Sequence, residues 1–172
     1  MKKLLFFSLV SLLTFSSCSV VKDGRDLSAF IFRMNEKNES YNMTEKGFLY
    51  DEEKSEFYKF FLIDENEILL TFKADEKGRL TEMDITTSCN LSNSEFLLSF
   101  VTDAIFGFIN NTETTETLLR ETDFSNTIAT TKNETIKAKN GNVELLLDVT
   151  EIGTVITVYK DIRWRKSNPV TL

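Results

Sequence analysis

The chain of 172 residues has no histidine, one proline, two cysteines and six glycines. Without histidine there is no Ser-His-Asp or Cys-His relay, no imidazole metal ligand and no imidazole proton shuttle near neutral pH. The two cysteines, Cys18 and Cys89, are too few for a structural zinc site. The glycines are scattered, so no Gly-rich loop is present to cradle a phosphate. Basic residues are outnumbered, 20 Lys and Arg against 27 Asp and Glu, for a net charge of −7. Nucleic-acid binding needs cations to neutralise phosphates, and this balance argues against it. Nothing in the composition calls for a cofactor. What the chain does hold in quantity is carboxylates, β-branched residues and 15 phenylalanines.

The N-terminus carries the sharpest signal. Met1-Lys2-Lys3 is a short basic start, Leu4 to Phe15 is apolar except for Ser8, Ser11 and Thr14, and Ser16, Ser17 and Cys18 follow. A positive head, an apolar body of about 7–15 residues and a small-residue region describe a secretory signal peptide. The apolar body is shorter than the roughly 20 residues of a spanning helix. Phe15-Ser16-Ser17-Cys18 resembles the lipobox of bacterial lipoproteins, with Phe15 where that family usually has Leu. The resemblance implies that residues 1–17 are removed and that Cys18 becomes a diacylglyceryl-modified, palmitate-bearing first residue. Buried acyl carbons contribute about 0.8 kcal/mol per CH₂, so two or three chains hold a protein firmly on a membrane. The expected location is the extracytoplasmic face of the cell membrane. Ser19 in place of an Asp fits an outer membrane if the host has one.

Removal of residues 1–17 takes away Lys2 and Lys3 and no acid, so 27 acids face 18 bases and the net charge becomes −9. An anionic membrane surface repels such a domain, which leaves the anchoring to the lipid. Residues 18–25 read as a short lipidated tether, 26–166 as a single domain and 167–172, with Pro169, as a tail. With Cys18 acylated, Cys89 reads as an inert thiol, since no cationic cluster adjoins it in the sequence to lower its pKa.

Leu27, Phe30, Ile31 and Met34 share one helical face, with Asp26 as the expected N-cap of a helix over 26–37. Four strands are expected next: Tyr41 and Met43 running through a bend at Lys46-Gly47 to Phe48 and Tyr50; Phe57 to Ile63; Ile68, Leu70 and Phe72; and Leu80, Met83 and Ile85. Their short connections favour an antiparallel meander. Ser92-Asn93-Ser94-Glu95 has the capping-box pattern, with Ser92 as cap, ahead of a strongly apolar helix over 93–109. A shorter helix is expected over 112–121, then strands over 127–138, 143–149 and 155–159, with Asn140-Gly141 as a hairpin signal. The expected fold is α+β: an antiparallel sheet with helices packed on one face, in the order α-β4-α(α)-β3/4. It hints at two helix-plus-meander units. The other face of the sheet is expected to carry Glu, Lys and Thr.

Candidate chemistry is sparse. Asp51, Glu52, Glu53 and Glu56 cluster at a turn, where two converging carboxyls could serve a glycan hydrolase and where solvated charge is the plainer reading. Asp64-Glu65-Asn66-Glu67 offers oxygen ligands but lacks the Gly and distal Glu of an EF-hand loop, so a turn fits better. Gly107, inside the second helix, suggests close packing. Arg163, Trp164 and Arg165 join guanidinium groups to an indole and are candidates for contact with an anionic partner or membrane. The twelve phenylalanines after residue 17 allow a cavity for an apolar ligand. The expectation is a non-catalytic, membrane-anchored binding or accessory module of the cell envelope. Its membrane contact is the N-terminal lipid, and its partner is a protein or a small apolar ligand. The alternatives are a carrier of lipids or an envelope enzyme working with carboxylates alone.

Overall fold

A computed structural model describes residues 25–63, 66–88, 91, 94–129 and 133–162. Its first element, α1 (Arg25–Lys37), forms where the apolar spacing requires it, with Leu27, Phe30, Ile31 and Met34 buried on one face. Asp26 is not the N-cap. It lies in the first turn, and its carboxylate accepts a hydrogen bond from the Leu80 N–H at 3.2 Å, tying the helix to a strand.

The expected extended segment around Tyr41 and Met43 is instead a pair of 3₁₀ turns, Glu39–Tyr41 and Glu45–Gly47. Three asparagines account for the difference, because short amide side chains compete with a strand ladder for the backbone. Asn38 accepts from the Ser40 N–H at 2.9 Å, and Asn42 takes the left-handed conformation at φ 42°. Asn35 clamps Met43 from both sides, with its amide donating to the Met43 carbonyl and accepting from the Met43 N–H, each at 2.9 Å.

Four strands follow: β1 (Leu49–Asp51), β2 (Glu56–Ile63), β3 (Asn66–Ala74) and β4 (Leu80–Thr87). They form the anticipated antiparallel meander. The next helix, α2 (Glu95–Ile109), is capped by Ser94, whose hydroxyl accepts from the Leu97 N–H at 3.1 Å. The cap is therefore two residues later than the Ser92 reading placed it. Ser92 itself lies outside the described residues, as do Cys18, Cys89, Asp64, Glu65 and the Arg163-Trp164-Arg165 segment.

Asn110 ends α2 in the left-handed conformation, and Asn111 caps α3 (Thr112–Glu121) by accepting from the Thr114 N–H at 2.9 Å. The stretch read as strand from residue 127 begins as a further helix, α4 (Phe124–Ala129). Phe124, Thr127 and Ile128 are buried at helical spacing, and the Thr127 hydroxyl donates to the Thr122 carbonyl at 2.8 Å. Strand starts only at β5 (Glu134–Asn140), followed by β6 (Val143–Thr150) and β7 (Gly153–Lys160). Asn140 pairs with Val143, so the hairpin turn is Gly141-Asn142, with Gly141 at φ 59° in the first central position.

Among the described residues the sheet has seven antiparallel strands in the order β1-β2-β3-β4-β7-β6-β5. The two meanders thus meet through their last strands. One face of the sheet buries Ile68, Leu70, Phe72, Met83, Ile85, Leu145, Leu147, Ile156 and Val158, and the helices bring Phe30, Met34, Phe100 and Phe108 into the same core. The Phe72 ring lies 4.7 Å from Phe30, 5.9 Å from Phe48 and 6.1 Å from Phe108, centroid to centroid. The fold is α+β with helices packed on a sheet.

The opposite face differs from the Glu, Lys and Thr surface expected of it. It does carry Lys73, Glu82, Asp84, Glu144 and Asp148, yet Tyr58, Phe60, Leu62, Leu69, Leu146, Val155 and Tyr159 point the same way by strand alternation. The reason is visible in β2, where Phe57, Phe61 and Ile63 serve the core and Tyr58, Phe60 and Leu62, which alternate to the other face, are aromatic or apolar as well.

Two glycines separate packing from necessity. A Cβ on Gly153 would lie 2.2 Å from the Thr87 carbonyl oxygen, where the start of β7 presses on the end of β4. On Gly107 it would meet only the Met34 Sδ and the Phe30 ring, at 3.4 Å, which is ordinary contact. Gly153→Ala should therefore destabilise the protein by about 3 kcal/mol. Gly107→Ala should stay within about 1 kcal/mol of the parent or exceed it, because alanine favours the helix. Urea denaturation of both variants checks the contrast.

Candidate functional site

At one end of the sheet the two units leave a cleft of about 480 Å³, in the range of small-molecule sites. Phe30, Leu80, Phe108, Ile109 and Val143 reach it from a buried floor. Its rim is polar. α1 contributes Asp26 and Arg33, the β3–β4 turn contributes Arg79, the α2–α3 junction contributes Asn110 and Asn111, the β5–β6 turn contributes Asn142, and the end of β7 contributes Lys160.

Among the described residues, three cations and one carboxylate line this cleft in a chain whose overall charge is −7. Each cation is held. Arg33 Nε donates to the Gly107 carbonyl at 2.7 Å, and Lys160 Nζ donates to the Phe108 carbonyl while lying 4.3 Å from the centroid of the Phe108 ring. Both heads thereby serve the last turn of α2, where unpaired carbonyls and the helix dipole favour positive charge. Burial pushes the Arg33 guanidinium below its ordinary pKa, and the charge of Asp26 opposes this in part. Arg79 is matched closer to home, its Nε and Nη2 lying 2.8 and 2.6 Å from the Asp75 carboxylate. Burial alone would raise the Asp75 carboxyl. The Arg79 guanidinium and the backbone N–H groups of Arg79 and Lys77 outweigh that and hold it below the usual carboxylate range.

The second candidate is the uncovered sheet face. Phe60 and Leu62 on β2 are 66 % and 73 % exposed, and their cross-strand neighbours are Leu69 and Glu67. Elsewhere on this face charges pair off. Lys73 bonds Glu82, Lys137 lies 2.7 Å from Glu144, and the Thr157 hydroxyl donates to Asp84 at 2.6 Å.

A smaller recess of about 300 Å³ lies between Tyr41, Phe61, Phe96 and Phe100. The Tyr41 hydroxyl donates to the Asp103 carboxylate at 2.8 Å. Burial first, and that hydrogen bond second, push the phenol up to about 12. Nearby, burial lowers the pKa of Lys59, whose ammonium lies 4.8 Å from the centroid of the Phe61 ring and 5.5 Å from that of Phe48.

Of the acids singled out in the sequence, Asp51 organises its own turn by accepting from the N–H groups of Glu53 and Lys54 at 3.0 and 3.2 Å. Glu52 and Glu53 are exposed beside it. Among the described residues no group of three or more His, Cys, Asp or Glu is placed to hold a metal ion, and no helix is long and apolar enough to cross a membrane. Sequence reasoning missed both candidate sites. Lys160 had a signal, since it continues the inward alternation of Thr154, Ile156 and Val158. Arg33 had none, because it sits outside the apolar stripe and looked solvated. No protein-family model, curated protein or solved structure matches the chain.

The Tyr41 shift has a direct consequence. The unfolded chain releases this phenolic proton near pH 10 and the folded chain near 12, so stability falls as the pH rises between those values and is unaffected below them. Ultraviolet titration should show a phenol ionising near 12 that disappears in Tyr41→Phe.

Proposed function

We propose that this chain is a lipid-anchored binding module of the cell envelope, held at the extracytoplasmic face through an acylated Cys18 and docking a protein partner on the uncovered face of its sheet. The observation that carries the docking surface is the exposure of Phe60 and Leu62, two large apolar side chains projecting side by side from one strand. Contiguous apolar surface of this kind marks interaction sites rather than ordinary solvent-facing sheet. The edges suit the role less well. β1 is only three residues long, and β5 carries exposed Lys137 and Lys139, both ways of discouraging strand addition.

The surroundings of Phe60 and Leu62 favour a partner with apolar anchors and a basic neighbour, since Glu67 lies directly across from Leu62 on β3. The ring-to-ring contacts of Phe30, Phe48, Phe72 and Phe108 support core filling in place of the lipid store that a carrier would need. The turn-forming role of Asp51 supports structure in place of carboxylate catalysis at that cluster. The signal-like N-terminus and the lipobox resemblance support the anchor.

Two experiments test the reading. Cys18→Ala should move the full chain out of the membrane fraction and abolish labelling by a radioactive fatty acid; retention in the membrane would overturn the anchor. A photo-crosslinking residue at position 60, introduced in living cells, should give one discrete adduct that is absent from a probe at exposed Glu113 and is lost when Leu62→Lys is added. Adducts from both probes or from neither would sink the docking face. Phe60→Ser and Leu62→Ser should shift the unfolding free energy by about 1 kcal/mol or less, because exposed positions contribute little to the core. Thermal melts separate that outcome from a general loss of fold.

A further inference from the structure

We propose that the cleft at the end of the sheet binds the oxyanion of a small polar molecule, a phosphate or carboxylate, with Arg33 as the main contact and Lys160 as supporting charge. This site is separate from the docking face, which lies on the other side of the sheet, and either can fail without the other.

Charge is the first argument. An acidic chain has drawn Arg33, Arg79 and Lys160 from three distant stretches of sequence to one rim, facing one lining carboxylate among the described residues, Asp26. Asp26 offsets part of the Arg33 charge and also accepts from the Leu80 N–H, Arg79 is neutralised by Asp75, and Lys160 is engaged by the Phe108 carbonyl and ring, so Arg33 is the cation with donors to spare.

The donor inventory is the second. Capping the last turn of α2 explains one N–H of Arg33, the Nε bond to the Gly107 carbonyl. A guanidinium has five donors, and those on the two Nη atoms meet no acceptor among the described residues. The same bond fixes the guanidinium plane, so the fork is oriented before any ligand arrives. Planar, pre-set N–H pairs suit the two oxygens of a carboxylate or phosphate. The burial that lowers the Arg33 pKa shows a cation short of solvent, and an arriving anion would restore what burial removed.

The rest of the cleft sets the size and polarity of the ligand. Asn110, Asn111 and Asn142 offer amide donors and acceptors around the rim, and Phe30 and Phe108 lie beneath. Such a lining accepts a short hydroxylated body attached to the anion more readily than a long hydrocarbon chain. Glycerol 3-phosphate has that chemistry, whether free or as part of a phospholipid headgroup.

The test uses the full chain in neutral detergent micelles at constant ionic strength, titrated calorimetrically with inorganic phosphate, glycerol 3-phosphate and succinate. Saturable binding is expected, with glycerol 3-phosphate tighter than inorganic phosphate. Arg33→Gln should weaken it about tenfold or more, the scale of one lost charge-assisted contact. Thr114→Glu places a negative charge on the cleft lining in the first turn of α3, where a helix N-terminus tolerates it, and leaves the Arg33 bond intact, so it should also weaken binding while melting at the parental temperature. Competition by phosphatidylglycerol vesicles but not phosphatidylcholine vesicles would assign the anion to a lipid headgroup, and no competition would assign it to a soluble ligand. Absence of saturable binding for all three anions, or affinities unchanged in both variants, would overturn the site.

Discussion

The pairing of β4 with β7 joins two meanders that were built far apart in the chain. Six residue pairs hold it, from Glu82↔Tyr159 to Thr87↔Thr154, and Met83, Ile85, Ile156 and Val158 turn inward along it with no exposed surface. Neither unit has enough apolar area to stand alone comfortably, because a three- or four-stranded meander with its own helices buries too small a share of its surface. Once the two last strands pair, the helices have a common floor. α1 from the first unit then packs on α2 from the second, with Phe30 and Met34 against Gly107. The close approach of Gly153 to the Thr87 carbonyl lies at one end of this seam.

The same junction explains the chemistry of the cleft. α2 has to stop where the first unit begins, and Asn110 stops it in a left-handed turn while Asn111 starts the next helix. Its final carbonyls therefore face the joint between units, where a negative helix end needs cations. Arg33 and Lys160 come from opposite units to meet that need. A requirement of folding has gathered positive charge at a concave place. The uncovered sheet face has the opposite character, with its cations paired to Glu82 and Glu144 and its apolar side chains exposed. The cleft and the uncovered sheet face thus differ in chemical character.

Elements whose signal is periodic were legible. The 3.6-residue spacing in α1 and α2, the boundaries of α3 and the alternation in β3 and β7 follow from side chains that each know which way to face. The misreadings share a cause. Asn35 and Asn38 turned an apparent strand into 3₁₀ turns through local side-chain bonds, with Asn42 in the left-handed conformation, and Thr122 and Thr127 supported helix where strand was expected from residue 127. Such bonds depend on one side chain meeting one backbone group, which no spacing rule captures. Phe60 and Leu62 were counted into a strand, and the run Phe60-Phe61-Leu62-Ile63 already contained the warning that both faces of β2 are apolar there.

By itself the sequence determined the fold class, the antiparallel meanders, the acidic charge and the resemblance that points to Cys18 as an anchor. Those properties are local or summed over the chain, so they can be read without knowing what touches what. Tertiary structure alone decided that the last strands of the two units pair, that Arg33, Arg79 and Lys160 share a cleft, and that Phe60 and Leu62 face solvent. Each of these is a meeting of residues, or the lack of a covering layer, across tens of positions. Burial and charge respond to the final arrangement in space, and spacing along the chain carries no record of it.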